Sequence, residues 1–174
     1  MKLWRCQICG DPYLGEKKPK NCPFCGAHER HMVLQEDFVD RIGKVEGLSE
    51  TSKKNLEEAL NLEIDNTQFY ACAARKSETD EAKNLFKALS KIESEHASLV
   101  CKALGIEKPA IEEVDICSGD YQENLKESHK REERAIKAYG RHLSEATEPR
   151  VQEIFSALIA IESDHLSLSE ERME

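Results

Sequence analysis

The sequence predicts an all-α four-helix bundle led by a small cysteine-rich module, and three observations predict it. Helix formers at helical apolar spacing dominate from about Ser49 onward. The second half of that region repeats the first at an offset of 69 residues. Four of the seven cysteines crowd between positions 6 and 25.

Composition narrows the function classes. Hydrophobic residues make up 39% of the 174 residues, charged residues 34% and aromatic residues 6%, which suits a single helical domain plus a very small one. The 25 Lys and Arg against 34 Asp and Glu leave a net charge of −9, which disfavours nucleic acid as a partner. No stretch approaches the ~20 apolar residues of a membrane span. The opening residues have no apolar core of a signal peptide, so a cytoplasmic protein is expected.

Residues 1–36 form the first expected domain. Cys6-x-x-Cys9 and Cys22-x-x-Cys25 are separated by twelve residues, and Gly10 and Gly26 follow them where backbone freedom helps a tight knuckle. Two facing knuckles give tetrahedral coordination by four sulfurs, which selects zinc or iron. An odd cysteine total in an unsecreted chain argues against a disulfide framework. Cys72, Cys101 and Cys117 are therefore expected to be buried or idle thiols. Residues 37–48 read as a linker, leaving 49–174 for the bundle.

Helices are expected over about 50–76, 79–104, 120–146 and 149–171. Ser49, Thr51 and Ser52 are N-cap candidates for the first, Gly105 is a stop for the second, and Pro149 opens the fourth. The 69-residue offset maps Glu63 to Glu132, Tyr70 to Tyr139, Phe86 to Phe155, Glu93 to Glu162 and His96 to His165. The bundle thus reads as two related helical hairpins.

Glu93-x-x-His96 and Glu162-x-x-His165 each set a carboxylate and an imidazole on one helix face, inside an apolar stripe. Charge pointed into a core needs compensation. Glu63 and Glu93 flank residue 78 symmetrically, and Glu132 and Glu162 flank residue 147, so each pair meets at one height once its hairpin closes. The 105–119 connection reaches ~50 Å when extended, enough to return along a helix and set the second and third helices parallel. Four glutamates balance two divalent cations, and two imidazoles add one nitrogen to each. Glu63, Glu93, His96, Glu132, Glu162 and His165 are the expected ligands, with Glu93 and Glu162 bridging. Glu63 with His96, and Glu132 with His165, complete one metal each.

On these two motif sets the chain resembles a rubrerythrin. Trp4, Cys6, Cys9, Gly10, Gly15, Pro19, Cys22, Pro23, Cys25 and Gly26 resemble that family's short rubredoxin module. The six carboxylate and imidazole positions resemble its ferritin-like di-iron bundle. The module here precedes the bundle, as in the family's reverse arrangement. The resemblance implies two irons in the bundle and one iron, or zinc, in the four-cysteine site. It implies Tyr70 and Tyr139 as hydrogen-bond donors to ligating carboxylates. It implies a homodimer in which the four-cysteine site of one subunit lies near the bundle site of the other. One position departs: the family's second glutamate on the third helix, implicated in an iron shift during its redox cycle, is Ala135 here, and its repeat equivalent is Asn66.

The function expected is reduction of hydrogen peroxide to water by a di-iron site, with Glu63, Glu93, Glu132 and Glu162 at the chemistry and a redox donor protein supplying electrons through the four-cysteine iron. Two alternatives are a ferroxidase or oxygen-reducing oxidase, which Ala135 favours, and an iron-storage or metal-binding protein with a structural zinc ribbon. His28, His31, His129 and His142 are expected at the surface. Glu95 and Asp164 are expected to be solvated or to pair between helices.

Overall fold

A computed structural model describes residues 1–173. Its elements are β1 (Lys2–Cys6), β2 (Pro12–Gly15), β3 (Met32–Leu34), α1 (Glu50–Lys76), α2 (Asp80–Leu104), α3 (Tyr121–Glu145) and α4 (Pro149–Glu170). Short 3₁₀ turns flank β3 at Glu29–His31 and Gln35–Asp37.

The helices begin and end where local chemistry dictates. Ser49, Thr79 and Asp120 each accept a backbone N–H from three residues on, capping α1, α2 and α3. Gly105 ends α2 in the left-handed conformation at φ +70°. Pro149 occupies the first turn of α4, where no N–H is needed. Each boundary falls within two residues of the sequence expectation.

α1 packs against α2, α3 against α4, and α1 against α3, so the two hairpins form one four-helix bundle. The 105–120 crossover leaves the C-terminal end of α2 and runs back along the bundle. Lys108 Nζ reaches Ser94 O, Gln68 Nε2 reaches Glu112 O, and Arg75 reaches Val114 O. The crossover thereby returns to the α1–α2 turn before α3 starts, which sets α2 and α3 parallel.

One expectation fails on this crossover. Cys72 on α1 and Cys117 form a disulfide, with Cα atoms 5.8 Å apart, rather than remaining idle thiols. The return path brings together two cysteines 45 residues apart, which sequence spacing alone does not reveal. Cys101 remains a free, buried thiol.

The N-terminal module is a three-stranded antiparallel sheet in the order β2-β1-β3, with Trp4 opposite Tyr13 and Leu34. Its core is small: Trp4, Ile8, Ala27 and Met32 are its buried non-cysteine apolar residues. A core of that size needs outside support, and the α2–α4 face of the same chain supplies it. Arg150 donates to the carbonyls of Gln7 and Ile8 at 2.8 and 2.7 Å, and Lys102 donates to Cys9 O at 3.2 Å. Val45 N donates to Ala103 O at 2.9 Å, so the stretch after β3 is held to the bundle as well. Gly26 lies so close to α4 that a Cβ there would come within 3.0 Å of Ile161 Cγ2, and its φ of +76° also favours glycine.

Candidate metal centres

The four-cysteine site is built by two matching knuckles. Gly10 N donates to Cys6 O and Gly26 N donates to Cys22 O, both at 2.9 Å, and both glycines have positive φ. Ile8 N points at Cys6 Sγ at 3.4 Å and Asp11 N at Cys9 Sγ at 3.5 Å. Four sulfurs about 2.3 Å from a tetrahedral ion would sit about 3.8 Å from one another. Here Cys6 and Cys25 sulfurs are 3.7 Å apart, and Cys9 and Cys22 sulfurs 3.8 Å apart. The thiols titrate as one set, in which neighbouring sulfurs push Cys6 and Cys22 down and Cys9 and Cys25 up.

In the bundle, Glu63, Glu93, His96, Glu132 and Glu162 are fully buried and His165 is 6% exposed. Their donor atoms converge as two overlapping groups: Glu63, Glu93, His96 and Glu162, and then Glu93, Glu132, Glu162 and His165. Glu93 and Glu162 belong to both groups. His96 Nδ1 lies 3.4 Å from Glu63, 3.6 Å from Glu93 and 3.2 Å from Glu162. His165 Nδ1 lies 3.1 Å from Glu93 and 2.9 Å from Glu162. Donors about 2.1 Å from a shared ion, at roughly 90–109°, are about 3.0–3.4 Å apart.

Hydrogen bonding does not account for these atoms. Glu63 Oε2, both oxygens of Glu93 and of Glu162, Glu132 Oε2, His96 Nδ1 and His165 Nδ1 are buried without a partner. Eight unsatisfied atoms around one centre would be prohibitively costly in an empty core. They fit two cations held between four helices, and the donor set of carboxylate and imidazole suits first-row transition metals.

The surrounding groups orient these donors. Tyr139 on α3 donates to Glu63 Oε1 on α1 at 2.6 Å. Its repeat partner Tyr70 on α1 donates to Glu132 Oε1 on α3. Tyr70 also meets Ser128, which continues to Ser169 at 2.9 Å. Burial, then the adjacent glutamates, raises both phenol pKa values well above the ordinary range, so both remain donors.

Electrostatics tie the imidazoles to the carboxylates. Burial lifts Glu63 and Glu132 well above the usual carboxylate range. Burial also opposes ionisation of Glu93, His96 and His165, but the two imidazoles hold Glu93 low, Glu63 and Glu162 hold His96 high, and Glu162 and Glu93 hold His165 high. Binding of cations would take over this compensating role and release those protons.

The two centres touch within one chain. His96 Nε2 lies 2.8 Å from the carbonyl of Cys25. A carbonyl only accepts, so Nε2 carries a proton, and Nδ1 is the nitrogen that would offer a lone pair once a cation displaced its own proton. The module folds back on its own bundle, because the 37–48 stretch permits it and the module's small core requires a surface.

Several side-chain expectations are corrected. His142 is fully buried rather than at the surface. It packs between the Tyr139 and Phe155 rings, with Nε2 3.2 Å from Glu58. Asp164 is exposed, in keeping with a solvated carboxylate, and also pairs with His28 of the module at 2.7 Å. Glu95 is half-buried, beside Lys102 and near Asp11. His129 pairs with Glu170 and stays outside both metal groups. Ala135 is buried and brings no donor. Arg150, which clamps the module, was not singled out by sequence, since its partners are backbone carbonyls distant in the chain.

Comparison with known proteins adds to this geometry. The family model described as Rubrerythrin matches residues 54–171, which spans the helices bearing all six bundle donors. The chain belongs to the rubrerythrin family. Among curated rubrerythrins it is similar to reverse rubrerythrin-1 of Clostridium acetobutylicum, 30% identical over 114 residues. That match covers 60% of this chain and 63% of the relative, so less than two thirds of the relative's length is spanned. No solved structure matches. This rubrerythrin carries its four-cysteine module ahead of the ferritin-like bundle, in the reverse order.

Proposed function

We propose that the protein is a di-iron peroxide reductase whose bundle site is refilled through its own four-cysteine iron. The observation that carries this reading is the Cys25–His96 hydrogen bond of 2.8 Å, which joins the four-cysteine cluster to the carboxylate and imidazole cluster. A storage protein or a structural zinc ribbon has no need of such a link.

In this reading the chain divides into a module at 1–36, a connecting stretch at 37–48 and a bundle at 49–174. Cys6, Cys9, Cys22 and Cys25 hold one iron. Glu63, Glu93, His96, Glu132, Glu162 and His165 would hold two, with Glu93 and Glu162 available to both. Iron held there would supply the two electrons that hydrogen peroxide needs, in H₂O₂ + 2 e⁻ + 2 H⁺ → 2 H₂O. Tyr70 and Tyr139 fix the carboxylates, and the packed core excludes bulk water. The four cysteines would hold an iron able to accept single electrons from a redox donor protein. No helix of the described residues is long and apolar enough to cross a membrane. We place the protein in the cytoplasm, as a homodimer, in protection against oxidative stress.

Ala135 favours a second reading, an oxygen-reducing oxidase or ferroxidase, because the buried third-helix position has no spare carboxylate. Anaerobic reduction followed by stopped-flow mixing separates the two. Bleached four-cysteine iron should recolour faster with peroxide than with oxygen. The reverse order supports the oxidase, and no visible band at all indicates zinc.

A further inference from the structure

The two halves of the bundle site are related by the 69-residue repeat, yet their outer faces differ. His96 is sealed: it is 0% exposed and its Nε2 is bonded to Cys25 O. His165, its repeat equivalent, is 6% exposed and lines an open cleft. Of the six bundle donors it has the largest exposure. The module covers the α2–α4 face unevenly, closing over one imidazole and standing off from the other.

What lies over His165 is a cleft of about 490 Å³. Ile92 on α2 and Ile161 and Leu168 on α4 line its bundle side, and Pro23 lines its module side. Asn21, Asp164, Cys22 and His165 itself are the polar residues of its wall. A larger groove over Lys130, Arg134 and Ile136 has none of the six donors in its wall. Small-ligand sites are concave and mostly apolar with a few directed polar groups, and this volume falls in their usual range.

We propose that the cleft between Pro23 and Leu168 is the port through which oxidant reaches the bundle site, and that it admits organic hydroperoxides with small apolar substituents as well as hydrogen peroxide. This rests on the peroxide-reductase reading. A neutral ROOH suits such walls: its alkyl group packs on Ile161 and Leu168, and its oxygen accepts from His165 Nε2. The reaction is ROOH + 2 e⁻ + 2 H⁺ → ROH + H₂O. The O–O bond breaks, the reduced bundle site supplies both electrons, and solvent supplies the protons.

The test reads ligand entry rather than turnover. Azide is mixed with the oxidised, iron-loaded protein, and its charge-transfer band is followed by stopped flow. Leu168→Trp, which fills the mouth, should slow association at least tenfold with the final spectrum and iron content unchanged, and Leu168→Ala should speed it. Ile136→Trp, in the other groove, should leave the rate within twofold. Should Leu168→Trp fail to fold, Pro23→Trp closes the same mouth from the module. The unaltered protein, reduced beforehand, should be oxidised by tert-butyl hydroperoxide within about tenfold of the rate with hydrogen peroxide. Unchanged azide entry in the filled variants, or slowing in Ile136→Trp instead, overturns the port. A protein that loads no bundle iron overturns the underlying reading as well, so the two failures are distinct.

Discussion

The carbonyl of Cys25 accepts a hydrogen bond from His96 Nε2 at 2.8 Å, so one residue of the four-cysteine site touches one donor of the bundle site inside a single chain. This contact has a direct consequence for complementation. Cys9→Ser should disable the relay and Glu93→Ala the bundle site. When these two variants are mixed and subunit exchange is verified, no activity should return, because no chain holds both intact centres. Recovery of activity would show that electrons cross between subunits.

Arg150 holds the module through two backbone carbonyls, at 2.8 and 2.7 Å. Arg150→Ala removes both bonds, charge-assisted and partly buried, without touching either donor set. Bleached four-cysteine iron should recolour about tenfold more slowly after peroxide is added, corresponding to about 1.4 kcal/mol of lost docking. Metal content should not change. An unaltered rate in a stopped-flow trace would remove Arg150 from the relay's support.

Glu93 and Glu162 each face both donor groups, whereas Glu63 and Glu132 face one. Glu93→Ala or Glu162→Ala should therefore lose both bundle metals, and Glu63→Ala or Glu132→Ala should keep one. Elemental analysis of the purified variants decides this. Two bundle metals retained in Glu93→Ala would sink the bridging assignment. Tyr139→Phe is gentler, leaving Glu63 Oε1 without its donor, and should weaken one metal by about 10–100-fold.

The Cys72–Cys117 bridge closes a 45-residue loop that contains α2 and the crossover. The chain-entropy estimate for such a loop is about 4 kcal/mol. Cys72→Ser with Cys117→Ser should lower Tm by roughly 8–16 °C for a chain of this size. Calorimetry with and without thiol reductant checks it: reductant should reproduce the shift in the unaltered protein and do nothing to the double variant. Because disulfides rarely persist in a reducing compartment, alkylation of cell extracts would also test the cytoplasmic placement.

The bundle was legible in the sequence because several local signals agree. The cap at Ser49, the stop at Gly105 and the opening Pro149 mark helix ends, and the 69-residue repeat sets Glu63, Glu93, Glu132 and Glu162 at one height. What escaped depends on contacts between distant segments. The disulfide exists only because the crossover returns to α1. His142 is buried at a position whose repeat equivalent is Ala73, so the repeat gave it no role. Asp164 and Arg150 meet the module, whose placement on α2 and α4 no helical pattern encodes.

A last prediction concerns acid stability and Glu148, which joins the starts of α1 and α4. Its carboxylate accepts from Ser49 N at 2.6 Å and from Ser52 Oγ at 2.5 Å. Partial burial opposes ionisation, but these donors outweigh it and hold the pKa at about 2, against an ordinary value of 4.5. A carboxyl depressed in the folded state contributes stability that is complete above pH 4.5 and is lost as pH falls towards 2. Glu148→Gln removes that contribution at neutral pH but has nothing left to remove in acid. Urea unfolding of both proteins from pH 6 to pH 2 should show a stability difference that shrinks across this window. Protonation of the metal donors is common to both proteins and cancels in the difference. A difference that stays constant to pH 2 would mean that the Ser49 and Ser52 bonds do not depend on the charge of Glu148.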